Sequence, residues 1–328
     1  MPLLIRNIHA AVDADHQTLV KCVQLFLGGT ACIQTLQVVR KAIDARKKHN
    51  IIGVYTLLAD VVDEDLLCKN LPQSPHWERV TAASPVCFVP RAMDERVIIV
   101  GMGPAGMFCA LRLMAHGIPS TILERGRAVH ERVQDVSAFW RDGLLNQESN
   151  VQFGEGGAGT CSDGKLTCRV RDPNSSWVLD QLVRYGAPQE IRYQAKPHIG
   201  TDRLRSVVTC LREHLVAQGC EVHFNSRVDD ILMEAGAVRG VLIADGRELL
   251  CQRLVLAIGH SARDSYRMLF DHGVVMESKP FAIGVRVEHP QSVINTIQYG
   301  IATHPQLGSA EYALTWNDVM SGRSCYSF

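Results

Sequence analysis

The sequence has no net charge, no long hydrophobic run and no paired-cysteine motif, and each absence removes a class of function. Lys plus Arg equals Asp plus Glu at 34 each, so no global field draws the chain toward nucleic acid or an anionic membrane. The longest apolar stretch, around Val97 to Leu111, is interrupted by glycines and is too short to span a bilayer. The first residues, MPLLIRNIHAAVDADH, carry one arginine and a short apolar run followed by Asp13 and Asp15. That fits neither a secretory signal nor an Arg-rich, acid-poor transit peptide. The 11 cysteines are odd in number and scattered, and none forms C-x-x-C; neither a disulfide framework nor a zinc ribbon is expected. The expectation is a reduced, cytoplasmic protein with no metal site.

What is present falls into blocks. At 328 residues the chain has room for two or three domains. Residues 1–62 read as a small α+β domain. Leu3 to Ile8 is a strand, and Asp15 to Leu27 an amphipathic helix with Leu19, Val20, Val23 and Phe26 on one face. Thr35 to Asp44 and Ile51 to Val61 follow as a hairpin around KKHN. The basic cluster of Arg40, Lys41, Arg46, Lys47 and Lys48 lacks the interleaved aromatics of an RNA surface and reads instead as a solvated sheet edge. Pro72, Pro75, Pro85 and Pro90 then mark residues 63–95 as a linker or strap.

Residues 96–275 open on the most informative stretch, RVIIVGMGPAGMFCALRLMAHGIPSTILERG. Val97 to Val100 is a β-branched run suited to a parallel strand covered on both faces. Gly101, Gly103 and Gly106 stand at G-x-G-x-x-G spacing: the first for a tight turn, the second for backbone approach to a pyrophosphate, the third for close helix–strand contact. The helix that follows offers unpaired N–H groups and a positive dipole end to a diphosphate. Thr121 to Leu123 is the next strand, and Glu124 at its tip can accept hydrogen bonds from ribose hydroxyls. An acid there favours FAD or NAD over NADP.

A second glycine cluster, NVQFGEGGAGTCSDGKLTCR, spans Asn150 to Arg169. It contains G-x-G-x-x-G at Gly154, Gly156 and Gly159, without the preceding strand, and G-x-x-x-x-G-K at Gly159 to Lys165, followed by Leu166 where a P-loop needs a hydroxyl. A loop lying along the cofactor, with N–H groups from Gly156 to Gly159 toward its polar middle, is one reading; a flexible turn is the other. Thr201 and Asp202 open a helix that stops at Gly219. A strand, EVHFNSRVDDI, then leads through hairpins at Ala235-Gly236 and Asp245-Gly246 to the apolar strand RLVLAIGH. The fold class is therefore α/β: a Rossmann-like domain with an inserted three-stranded β-meander, preceded by the α+β domain and followed, over 276–328, by the start of a substrate domain.

On these motifs the sequence resembles the glutathione-reductase-like FAD flavoproteins, and more closely a family of FAD-dependent dehydrogenases with a small N-terminal α+β domain. The segments that carry the resemblance are KAIDARKK, GMGPAGMFCALRLMAHG, ILERG, VQFGEGGAGTCSDGKL, KPHIGTDRL, LVLAIGHSARD and KPFAIGVRVEHP. The resemblance implies that Gly101, Gly103, Pro104, Ala105 and Gly106 hold the FAD pyrophosphate. Glu124 would hold the AMP ribose, Arg125 would lie beside the adenine, and Val228 would meet the adenine through its backbone. Gly157, Ala158 and Gly159 would run beside the diphosphate and ribityl chain, and Gly259 would permit backbone approach. Such proteins close the cofactor site with a late Gly-Asp strand; nothing of that kind follows Gly259, so a chain cut short within its substrate domain is expected.

The implied chemistry is hydride transfer through flavin N5 to or from a small-molecule substrate. No second dinucleotide fold is visible, and NADH or NADPH remains one possible electron donor. His198, His260 and Lys165 are catalytic candidates by their place beside cofactor-type motifs, the alternative being turn histidines and a solvated lysine. Cys161 and Cys168 lack the spacing of a redox pair. A non-catalytic nucleotide-binding remnant and an NAD-dependent dehydrogenase stand as alternative functions. The sequence says nothing of oligomeric state.

Overall fold

The computed structural model describes every residue except 82–86, 92–95, 163, 167–171, 173 and 328. Two compact units emerge: residues 1–84, 193–195 and 280–328 form one, and residues 85–192 and 196–279 the other.

In the first unit, β1 (Leu3–Ala10), α1 (His16–Phe26), β2 (Ile33–Asp44) and β3 (Ile52–Val61) are followed by α2 (Glu64–Asn70) and β4 (Trp77–Arg79). The strands form one antiparallel sheet in the order β2-β3-β1-β4. Alternate residues of β3 point inward, so Tyr55, Leu57 and Ala59 meet Leu19 and Val23 of α1 in a dry core. Asp15 caps α1 by accepting a 2.8 Å hydrogen bond from Thr18 N–H. The expected linker differs here. Pro72 and Pro75 lie between α2 and β4 rather than within either, and Leu67, Leu71 and Trp77 pack on the core. Apolar side chains, which the proline count outweighed in the sequence, bind this stretch to the domain before it. Pro85 lies outside the described residues.

The second unit is built on a four-stranded parallel sheet. Its elements are β5 (Val97–Val100), α3 (Pro104–Ala115), β6 (Ser120–Leu123), α4 (Val129–Asp142), α5 (Asn174–Arg184), α6 (Thr201–Ala217), β7 (Glu221–His223), β8 (Val228–Glu234), β9 (Ala237–Ile243), β10 (Glu248–Leu250), β11 (Leu254–Leu256) and α7 (Arg263–Asp271). The parallel order is β11-β5-β6-β7, and β10-β9-β8 form a separate antiparallel sheet. The reason β5 is apolar at every position is now visible. Val97 and Ile99 pack with Met107, Leu111, Val207 and Leu211 of α3 and α6, while Ile98 and Val100 pack with Val228, Val241 and Ile243 of the antiparallel sheet.

The stretch EVHFNSRVDDI, expected as one strand, is two. Asn225 adopts a left-handed conformation with φ 53°, and the N–H groups of Asn225 and Ser226 donate to the carbonyls of Gly126 and Glu124. The chain thereby leaves the parallel sheet after β7 and enters the antiparallel one at β8. Asparagine tolerates this region better than most residues.

The chain then returns to the first unit with α8 (Gln291–Tyr299), β12 (Thr315–Asp318) and β13 (Arg323–Tyr326). Tyr299, Leu307 and Ala310 bury against Val12, with Ala45, Ile51 and Ile294 around them. Residues 280–328 thus share a unit with the N-terminal sheet. The segment GVRVEHP, which carries part of the family resemblance, forms no strand among the described residues.

Candidate active site: a glycine-lined cleft

The turn after β5 shows what each glycine does. At Gly101 the backbone has φ 102°, and a Cβ would fall 2.4 Å from the Ala257 carbonyl oxygen at the end of β11. Only glycine meets both demands. At Gly106 a Cβ would lie 2.0 Å from the Gly101 oxygen, so this residue lets α3 lie against its own strand. Gly103 differs from both: the nearest atom to its absent Cβ is the Gly157 Cα at 3.8 Å. It opens onto a cavity of about 540 Å³.

That cavity gathers nearly all of the expected cofactor residues. Gly101, Gly103, Pro104, Ala105, Glu124, Arg125, Gly157, Ala158, Gly159, Val228, Gly259 and His260 line it, whereas Gly106 lies beneath it in the α3–β5 contact. Gly103 caps α3 and Pro104 begins it, so the first-turn N–H groups have no partner within the helix. Of the catalytic candidates, His260 alone borders the cavity. His198 and Lys165 pair through an isolated antiparallel bridge and line neither it nor its neighbour. Cys168 lies outside the described residues.

Glu124 is 4% exposed, and its carboxylate is already engaged. Oε2 accepts from Met102 N–H at 2.7 Å; Oε1 accepts from Gly126 N–H at 2.8 Å and Gly154 N–H at 2.9 Å. Three of its roughly four acceptor sites are thus taken by backbone, and one side chain ties the first glycine turn to the second glycine cluster. Arg125 is likewise a junction. It donates to Glu148 from Nε and to both oxygens of Asp264 on α7, and its guanidinium lies 4.2 Å from the Phe153 ring centre. The Arg125 hydrogen bond, with its charge, holds Asp264 below the usual carboxylate range. Burial pushes Glu148 up, but Arg125 and Arg227 outweigh it and its pKa is lowered.

Sequence reasoning missed the group that supports the second glycine cluster. Arg132, on α4, is 1% exposed. It donates from Nε to the Asn150 carbonyl, from Nη1 to those of Gly154, Glu155 and Gly157, and from Nη2 to that of Val151. Glu155, fully buried, accepts from Val129 N–H at 2.8 Å and from Arg212 Nε at 2.7 Å. Burial raises the Glu155 pKa despite these two donors. A signal existed in the sequence: Arg132 shares the inward face of α4 with Val129 and Val136, and an arginine on an apolar stripe needs buried acceptors. The cluster is therefore a fixed wall.

A second cavity, about 780 Å³, adjoins the first through Arg125, Gln152, Phe153, Arg227, His260 and Ser261. Among the described residues no group of His, Cys, Asp and Glu could hold a metal, and no helix is long and apolar enough to cross a membrane.

Residues 280–328 match the family model described as FAD-dependent protein, C-terminal domain-like. The description of that family as FAD-dependent agrees with FAD as the expected cofactor. A Clostridium beijerinckii protein described as uncharacterized is 42% identical over 332 residues, covering 100% of this chain and 62% of that relative; the chain thus spans under two thirds of its length. Among solved structures, THI4 of Thermovibrio ammonificans aligns with 55% of this chain and 64% of its own at 18% identity and a TM-score of 0.37. Glycine oxidase of Bacillus cereus aligns with 54% of this chain and 58% of its own at 15% identity and a TM-score of 0.30.

Proposed function

We propose that this chain is the cofactor-binding part of an FAD-dependent oxidoreductase of the glutathione-reductase-like type. The observation that carries the reading is the single cleft on which the G-x-G-x-x-G turn, the Glu124 strand tip, the second glycine cluster and Gly259 converge. The residues fit a dinucleotide. At Gly103 and Gly159 a Cβ would project into space with nothing nearer than 3.8 Å, so both leave room for a ligand against the backbone. In this reading the N–H groups of the first α3 turn stabilise the diphosphate, the remaining acceptor site of Glu124 takes a ribose hydroxyl, and Val228 and Arg125 flank the adenine. When bound, the flavin supplies hydride transfer at N5. His260, at the rim shared by both cavities, is the side chain placed to hold or release a proton for a small-molecule substrate, with NADH or NADPH as the proposed donor.

Absorbance of the purified chain tests this. A visible flavin spectrum, with FAD as the released nucleotide and bleaching on anaerobic addition of NADH or NADPH, is the expected result. Folded, colourless protein that stays so with added FAD would reject the reading and favour a nucleotide-fold module without flavin chemistry.

A further inference from the structure

The five hydrogen bonds of Arg132 have a directional consequence. In a planar trans peptide the carbonyl and the following N–H point to opposite sides, and no peptide bond among the described residues is cis. The Gly157 carbonyl points inward to Arg132 Nη1 at 2.8 Å, so the N–H of Ala158 points away from Arg132. Gly157 and Ala158 line the cleft and Arg132 does not, which puts the loop between the two. The N–H groups before Ala158 are used within the wall: Gly154 on Glu124, Glu155 on the Arg127 carbonyl, Gly156 on that of Met102, and Gly157 on that of Gly154. Gly154 is small for the same purpose, since a Cβ there would lie 2.4 Å from Arg132 Cδ.

We infer that Arg132 is a positioning residue for the cofactor: by holding the Gly157 carbonyl inward it turns the Ala158 N–H into the cleft as a donor to the diphosphate. The inference rests on the dinucleotide reading of the cleft. Lysine at this position keeps the charge but has a compact head with three donors, which cannot span carbonyls from Asn150 to Gly157 as the planar guanidinium does.

The test is calorimetric titration of wild type and Arg132→Lys with ADP and with adenosine, which lacks the diphosphate. ADP should weaken by about tenfold or more in the variant, the scale of a hydrogen bond to a charged group, while adenosine stays within about twofold. Equal losses for both ligands would mean general damage to the fold, and no loss for either would mean no role; each overturns the inference. Wild type itself supplies a second measurement that does not depend on the variant folding. The Ala158 amide proton resonance should shift on saturation with ADP and stay in place with adenosine, and an unmoved resonance with ADP overturns the inference. Wild type that binds neither FAD nor ADP would instead reject the dinucleotide reading, a result separable from wild type that binds while Arg132→Lys keeps its ADP preference.

Discussion

Replacing Glu124 by glutamine separates a structural role from a cofactor role at the most connected point of the cleft. The amide oxygen can keep the Gly126 and Gly154 donors now on Oε1, but its NH2 group then faces the Met102 N–H that Oε2 accepts at 2.7 Å. Each hydrogen bond to a charged group contributes about 1.5–3 kcal/mol, and an unsatisfied buried donor costs about 1–3 kcal/mol. With two bonds losing their charge assistance and one lost outright at a site 4% exposed, the expected destabilisation is about 3–5 kcal/mol. That is a large share of the roughly 5–15 kcal/mol that holds a domain together. Urea denaturation of the apoprotein, followed by far-ultraviolet circular dichroism, reads it directly. A residue that served only to bind ribose would leave the apoprotein unchanged. Apo Glu124→Gln within about 1 kcal/mol of wild type would therefore refute the view of this carboxylate as the brace between the two glycine segments.

Gly103→Ala should unfold at nearly the wild-type temperature yet lose FAD affinity, because the methyl enters open cleft space, whereas Gly106→Ala should fail to fold stably, its methyl falling 2.0 Å from the Gly101 oxygen; thermal melts with FAD titration distinguish them. Asp264 and Glu148 have lowered pKa values in the folded state, so their contribution is fully present above the ordinary carboxyl range of about 4 and disappears as pH falls through the lowered values. The share of the melting temperature that these two carboxylates supply should be constant between about pH 7 and 5 and be lost below about pH 4, so Arg125→Met should flatten the acid limb relative to wild type; an unchanged limb would deny Arg125 its role as junction. In the first unit, Leu57→Ala, at a fully buried position, should lower stability by about 2–5 kcal/mol, while Leu25→Ala, 76% exposed, should change it by less than about 0.5 kcal/mol.

The parts legible in the sequence are those fixed by neighbours along the chain. Val97–Val100, the glycine turn, α3 and β6 follow one another within a single supersecondary unit, and the two hairpins turn where their residues demand. EVHFNSRVDDI was unreadable as two strands because no glycine or proline marks the bend, and only the bonds from Asn225 and Ser226 to Gly126 and Glu124 reveal it. The brace around the cleft was hidden for a similar reason. Arg125 reaches Asp264 across the whole unit, and Arg132, Glu155 and Arg212 satisfy one another through space. The second glycine cluster was readable as cofactor-facing or as a flexible turn. Packing assigns its glycines separate tasks: Gly154 yields to Arg132, Gly156 to Thr160, and Gly159 alone meets nothing.

The split of the first unit along the chain sets an order of events during synthesis. Its sheet and α1 close around Leu19, Val23 and Leu57 using only residues made early, yet Val12 is covered by Tyr299, Leu307 and Ala310. At translation rates of roughly 5–20 residues per second, the roughly two hundred intervening residues take about 10–40 s to make. For that interval the nascent sheet carries an uncovered apolar flank beside Ala45 and Ile51, while the glycine cleft, lined by residues between Val100 and Tyr266, can already form. Ribosome-bound intermediates of this protein should therefore expose the N-terminal flank to chaperones after the nucleotide fold has become protease-resistant.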